Sequence, residues 1–295
     1  MTIRIAIIGP GKIARDAHEP AIARHPGCTL VASAGGPDGL GTVPHFPDLS
    51  GLLASGIAVD VAAICTPPGP RAGIAHEAWS AGLDVLLEKP PAATDAAAAG
   101  LVPPPGRVGY AAWHSRHAAG VAAARAVLAQ RPPARFAIHW LEDVERWHPG
   151  QDWVWRADGF GVIDAGINAL SMLTAVWPGD WAVVGAALAV PAGCAAPERV
   201  QAKMVCGAVA AAVRFDWRSA EDRWEIAVGL ADGGRLEMLN GGARLRVDGA
   251  DVPVAAAAEY DGVYAEFAGC IAGRHSRIDV QPLALALALL RAGGA

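Results

Sequence analysis

Residues 3–14 read Ile3-Arg4-Ile5-Ala6-Ile7-Ile8-Gly9-Pro10-Gly11-Lys12-Ile13-Ala14. Ile3–Ile8 is, apart from Arg4, an apolar and mostly β-branched run, as expected for a strand buried on both faces. A helical pattern follows from Lys12 to Arg24. The junction between them has the form G-x-G-x-x-A. Gly9 allows the tight turn, Gly11 lets the backbone approach a pyrophosphate, and Ala14 lets the helix pack closely on the strand. The helix N-terminus then faces the anion, with Lys12 and Ile13 in the same loop. A glycine turn without a cofactor has the same letters, so the strand before it and the helix after it carry the inference. Pro10 has no N–H to offer an anion.

The next hundred residues continue the alternation. Strands are expected at Thr29–Ala34, Val59–Cys65, Asp84–Leu87 and Val108–Trp113, with a helix over Arg71–Ala81. A short helix in Ala92–Gly100 is stopped by Pro103, Pro104 and Pro105. This order predicts an α/β Rossmann domain with a parallel sheet and helices on both faces. The second strand ends in Ser33-Ala34-Gly35-Gly36-Pro37-Asp38, where an acid would read the ribose of NAD and an arginine the phosphate of NADP. Neither stands at the tip. Gly35 and Gly36 offer backbone N–H groups, and Asp38 is either a ribose acceptor or a solvated turn residue. NAD and NADP both stay open. Thr66 and Pro67, after the third strand, and Glu88 and Lys89, after the fourth, complete the expected cofactor contacts.

The second half changes texture. A helix at Ala118–Gln130 precedes strands at Arg135–Leu141, Val183–Val190, Val209–Trp217, Trp224–Leu230, Arg235–Leu239 and Arg244–Val247. Asp232-Gly233-Gly234 and Asn240-Gly241-Gly242 separate several of these as hairpin turns do. A helix near Asp164–Trp177 interrupts them, and helices at Tyr260–Gly273 and Pro282–Arg291 follow. The expected organisation is a Rossmann domain over 1–115 and an α+β domain with a mostly antiparallel open sheet over 116–295. The terminal helix is free to pack back on the first domain.

Composition narrows the function classes. Of 295 residues, 24 are Lys or Arg and 29 Asp or Glu, a net charge of −5 that lacks the basic footprint of a nucleic-acid binder. No apolar run reaches the roughly 18 residues needed to span a bilayer, so no membrane partner is expected. Met1–Gly11 makes a poor signal peptide, since a glycine turn stands where a cleavage site belongs. The five cysteines are odd in number and form no C-x-x-C pair, which points to a reducing compartment and a cytoplasmic location. The nine histidines make no H-x-x-x-H or Cys/His cluster, so no metal site is expected. Neither a P-loop nor a nucleophile elbow occurs.

Glu88-Lys89-Pro90 and Asp164-Ala165-Gly166-Ile167-Asn168, with the fingerprint, resemble the glucose–fructose oxidoreductase/inositol dehydrogenase family, whose members carry E-K-P and D-x-G-x-H. Gly11–Asp16, Glu88–Pro91, Trp113-His114-Ser115, Glu142-Asp143, Arg146–Gly150 and Phe215–Arg218 are similar to its bacterial L-arabinose and D-galactose 1-dehydrogenases. That resemblance spans nearly the whole chain. It implies NAD- or NADP-dependent oxidation of an aldopyranose at C1 to the aldonolactone, with a small sugar as the partner. Related enzymes often associate through the outer sheet face of the second domain, so a homo-oligomer is one implication. The arabinose enzymes carry Ser-Arg for the NADP 2′-phosphate where this chain has Gly35-Gly36.

Asp164 and Asn168 are four apart at an expected helix start and so share a face. Asn cannot exchange a proton at neutral pH, which leaves the acid–base role to Asp164 and a hydrogen bond to Asn168. On spacing alone Asp164 is equally a helix cap. Lys89 follows a strand end, where it can stabilise charge on the sugar C1 oxygen or, desolvated, act as the base; a lone surface lysine is the plainer alternative. A pyranose presents an apolar face and a polar rim, which suits tryptophan plates beside hydrogen-bonding groups. The resemblance selects Trp147 and Trp217 as plates, with His114, Glu142 and His148 for the hydroxyls. For any single Trp, core packing is the alternative. A non-catalytic dinucleotide sensor on the same fold is the rival in another class, and oxidation of a different polyol the rival among enzymes.

Overall fold

β1 (Ile3–Ile8) runs through a six-stranded parallel sheet in the computed structural model, which describes residues 2–294. On one side lie β2 (Cys28–Ala34) and β3 (His45–Phe46); on the other lie β4 (Val61–Ile64), β5 (Asp84–Glu88) and β6 (Gly109–Ala112). Ile5, Ala6, Ile7 and all of Val61–Ile64 are fully buried, which is why these strands read as unbroken apolar runs. The strand order reverses at the β1/β4 junction, the place where open α/β sheets bind ligands. The first helix starts with a π turn at Ala14–His18 and continues as α1 (Glu19–Arg24). α2 (Leu49–Ala54), α3 (Pro68–Ser80) and α4 (Asp95–Ala99) fill the later crossovers. Asp48 caps α2 by accepting from the Gly51 N–H at 2.7 Å, and Thr94 caps α4.

The second unit opens with α5 (Val121–Gln130), β7 (Pro133–Asp143), the single turn α6 (Val144–Trp147) and α7 (Val162–Val176). β8 (Ala182–Ala189), β9 (Arg199–Cys206), β10 (Val209–Asp216), β11 (Arg218–Leu230), β12 (Arg235–Leu239), β13 (Arg244–Val247) and β14 (Ala250–Val252) follow. The sheet order is β14-β13-β12-β11-β7-β10-β9-β8, antiparallel except for the β7–β10 pair. α7 lies against this sheet. A Cβ on Gly166 would stand 2.4 Å from the Phe215 ring of β10, so glycine is required for that approach. α8 (Glu259–Gly273) and α9 (Gln281–Ala292) close the described chain.

The α/β then α+β reading holds, and the first crossing falls between His114 and Ser115. The expected 116–295 block needs a correction. Tyr260–Val280 belongs to the first unit, and the described residues from Gln281 onward return to the second. Tyr260, Val263, Tyr264, Phe267 and Cys270 of α8 enter the same apolar core as Ile5, Ile7 and Ala14. Beyond α8, Arg277 adds to the sheet edge at β6, its N–H donating to Gly109 O at 2.8 Å. The returning element is thus the penultimate helix, while α9 packs against α7 and β8. Ala157–Val176, a short 3-10 turn followed by α7, is long and apolar enough by composition alone to cross a bilayer, and 89% of that window is buried inside the unit.

Candidate active site

The β1 turn is built for a close approach. Gly9 has φ +84°, and a Cβ there would meet the Thr66 backbone nitrogen at 2.8 Å. Any other residue would be strained and would push the loop after β4 away. A Cβ on Gly11 would meet nothing within 4 Å, so this exposed face of the loop stands open. Thr66 Oγ1 is buried with no hydrogen-bond partner among the described residues, a polar atom awaiting a ligand. Lys12 is exposed and paired with Asp16, Ile13 is half-buried, and Pro67 stands at the cap of α3. Gly35 and Gly36 take φ +82° and +76°. Arg15 donates to Asp38 O at 3.3 Å, and His45 Nε2 lies 3.3 Å from Gly36 O, so both bases border the Gly-Gly turn. Open glycines, an orphaned hydroxyl and flanking bases fit a dinucleotide.

Beneath the β5 end lies a polar cluster that sequence spacing did not reveal. Glu88 is 2% exposed. Its Oε1 accepts from Tyr260 Oη at 2.5 Å and from His18 Nε2 at 3.1 Å, and its Oε2 accepts from the Lys89 N–H at 2.9 Å. His18 Nδ1 is 2.8 Å from Tyr264 Oη. Burial opposes charge on Glu88, but the hydrogen bond and charge of His18, then His114 and Arg71, outweigh it and hold the carboxyl at about 2. His18 moves well above its ordinary value: burial opposes its charge, and Cys65, Tyr264 and Glu88 more than offset it. The carboxylate expected at the cofactor therefore points into an ion pair, with both oxygens engaged. His114 stacks on Tyr260, ring centroids 5.2 Å apart. Lys89 is half-buried, and its peptide bond to Pro90 is cis.

In the second unit Gly161 (φ +54°) precedes α7, and Asp164 lies in the first helical turn. Gly161 occupies the cap position, so Asp164 is not the cap. Asp164 is 5% exposed, and Asn168, one turn later, is half-buried. Glu142, near the end of β7, is 4% exposed. It accepts from Trp217 Nε1 at 3.1 Å and from Trp224 Nε1 at 2.8 Å, one indole on each oxygen. His148 Nε2 stands 3.8 Å from Glu142, and its ring leans on Trp217. Trp147 is 37% exposed, edge-on to Trp224 at 5.0 Å.

Trp217, expected as a plate under a sugar, is wholly buried, and its part is instead to hold Glu142. Within this unit the Glu142, Trp147 and His148 motif does gather at one place, around two indoles. Sequence reasoning missed Trp224, His18, Tyr260, Tyr264 and Arg71. Only Trp224 had a local signal, as an aromatic on a strand beside β7.

Residues 3–102 match the family described as "Oxidoreductase family, NAD-binding Rossmann fold". A galactose 1-dehydrogenase from Pseudomonas fluorescens is 40% identical over 285 residues, covering 96% of this chain and 93% of the relative. The crystal structure of a D-galactose-1-dehydrogenase protein from Rhizobium etli is 36% identical with a TM-score of 0.91, covering 99% of this chain and 95% of that one. A dehydrogenase from Bordetella pertussis, solved with NADH and UDP-GlcNAcA, shares the fold at a TM-score of 0.85 and 19% identity, covering 99% and 95%. The Gly9–Ala14 turn, the Glu88-Lys89-Pro90 strand end and this match over the whole length agree: the chain is an enzyme of the NAD-binding Rossmann oxidoreductases of the glucose–fructose oxidoreductase/inositol dehydrogenase family.

Proposed function

We propose that this enzyme oxidises an aldopyranose of the D-galactose/L-arabinose configuration at C1, giving the aldonolactone. The observation that carries this reading is the buried Asp164 with Asn168 one turn on, in a chain 40% identical to a galactose 1-dehydrogenase. The bound NAD or NADP supplies the hydride acceptor. Asp164 takes the proton from the C1 hydroxyl, and Asn168 hydrogen-bonds the sugar and keeps it oriented. Lys89 donates to the C1 oxygen as charge develops there. Glu142, its oxygens braced by indoles, accepts from sugar hydroxyls, with His148 beside it and Trp147 against the apolar sugar face. L-arabinose is D-galactose without its C6 hydroxymethyl, so one pocket holds both. A screen of aldoses with NAD and with NADP, followed by absorbance of the reduced nicotinamide, tests this. Turnover by no aldose with either cofactor refutes it.

Two further points belong to the same reading. Copies associate through the outer face of the second sheet, where Ala137, Ala212 and Ala187 are small enough for close approach and Arg214–Asp216 and Arg223–Glu225 pairs offer self-complementary charge. Light scattering that gives a monomer mass at micromolar concentration rules this out. A cytoplasmic location is supported by five cysteines that are all free.

A further inference from the structure

We propose that Arg71 is a positioning residue for the reaction, acting through the backbone of Lys89; this rests on the reading of Lys89 as the donor to the C1 oxygen. Arg71 sits near the start of α3 and is 4% exposed. Its Nε donates to Thr66 O at 2.8 Å. Its Nη1 donates to Glu88 O at 2.8 Å and also to Pro90 O. One guanidinium thus ties together the loops after β4 and β5. Two of its three carbonyls flank Lys89 directly, one residue on each side.

The fixed fork matters here. A guanidinium carries five N–H donors in a rigid plane, so carbonyls bound to it are held at fixed separations. With the carbonyls of residues 88 and 90 on one nitrogen, and the Lys89 N–H on Glu88 Oε2, the Lys89 backbone is pinned on both sides. The direction in which its side chain leaves the turn is then set by Arg71 and Glu88. The Thr66 arm fixes that turn relative to the glycine loop, because Thr66 is also the residue that Gly9 closely approaches. A buried cation needs partners to be tolerated, and among this one's are three backbone oxygens, two of which flank the candidate catalytic lysine.

The test is a double-mutant cycle on D-galactose oxidation with Arg71→Lys, Lys89→Met and the double variant. Arg71→Lys keeps the buried charge and loses the fork, so it avoids stranding three carbonyls as Arg71→Met would. Misplacement of Lys89 is expected to lower kcat by about tenfold to a hundredfold. Binding of NADH, read by fluorescence, is expected to weaken by a smaller factor than kcat falls, since Arg71 reaches the dinucleotide side only through the Thr66 carbonyl. The double variant is expected to match Lys89→Met within about twofold, because Arg71 has nothing left to position. If the double variant instead loses the product of the two single losses, Arg71 is only a fold-holding residue and the proposal falls while Lys89 stands. If Lys89→Met alone retains wild-type kcat, the reading of Lys89 falls, and the proposal with it.

Discussion

Replacing Glu88 with Gln should destabilise the protein severely, and should do so in a pH-dependent way. Glu88 and His18 are both buried and 3.1 Å apart, with Tyr260 and the Lys89 N–H as further donors to the carboxylate. Holding the Glu88 carboxyl at about 2 instead of 4.5 corresponds to about 3 kcal/mol at roughly 1.4 kcal/mol per unit. Removing one member of a buried pair costs about 3–5 kcal/mol by comparison with similar pairs. A loss of this order is equivalent to a fall in Tm of about 10 °C. Because the folded value is lowered, this stabilisation is present above the ordinary carboxylate range and is lost as pH falls from 4.5 toward 2. The His18 share has the opposite sign: it is complete below 6.5 and declines as pH rises beyond that. Urea unfolding of wild type and Glu88→Gln from pH 3 to pH 8 measures both limbs. The expected difference is widest between the two ordinary values and narrows on acidification. A difference below about 1 kcal/mol near pH 6, or one that does not shrink in acid, refutes the buried ion pair.

Asp164→Ala should reduce kcat by about 10²–10⁴-fold with dinucleotide affinity unchanged, read by steady-state kinetics and NADH titration; near-normal kcat removes Asp164 from the chemistry. Glu142→Gln offers its indoles one acceptor in place of two, so one charge-assisted bond is lost at a cost of about 2 kcal/mol, with a raised sugar KM; thermal unfolding and kinetics check it. For the cofactor, NAD should serve at least as well as NADP, and Gly36→Arg should shift kcat/KM toward NADP. Space is open at that position, and the φ of +76° costs an arginine about 1 kcal/mol. A tenfold wild-type preference for NADP, lost in Arg15→Ala or His45→Ala, would instead assign the phosphate to those two bases at the Gly-Gly turn.

What the sequence disclosed was whatever is local. The β1 strand, its glycine turn and the start of the helix after it follow from the twelve consecutive residues Ile3–Ala14, and the E-K-P and D-x-G-x-N segments are shorter still. β9 is absent from the expected strands although Val200, Ala202 and Met204 alternate strictly with Arg199, Gln201 and Lys203 and lie buried. The Glu88 cluster was illegible for a different reason. His18 meets Tyr264 across 246 positions and Tyr260 meets Glu88 across 172, and no spacing rule reaches that far. Trp217 shows the converse: the resemblance named it as a plate in one expected site with Glu142, and only burial and the indole N–H bond to Glu142 tell a brace from an exposed plate.

The late return of Tyr260–Val280 to the first unit governs the order in which the molecule can be made. On a ribosome, β1 to β6 emerge first, yet the aromatic face that completes their core is supplied by α8. All of Ser115–Glu259 must be synthesised in between, on the order of ten seconds at usual elongation rates. During that interval the nascent dinucleotide half carries an uncovered apolar surface around Ile5, Ile7 and Val108, the kind of surface that chaperones hold and that aggregates when they are scarce. The half that begins the chain is therefore finished only after most of the other half has been translated, so a ribosome stalled at residue 259 leaves both units incomplete.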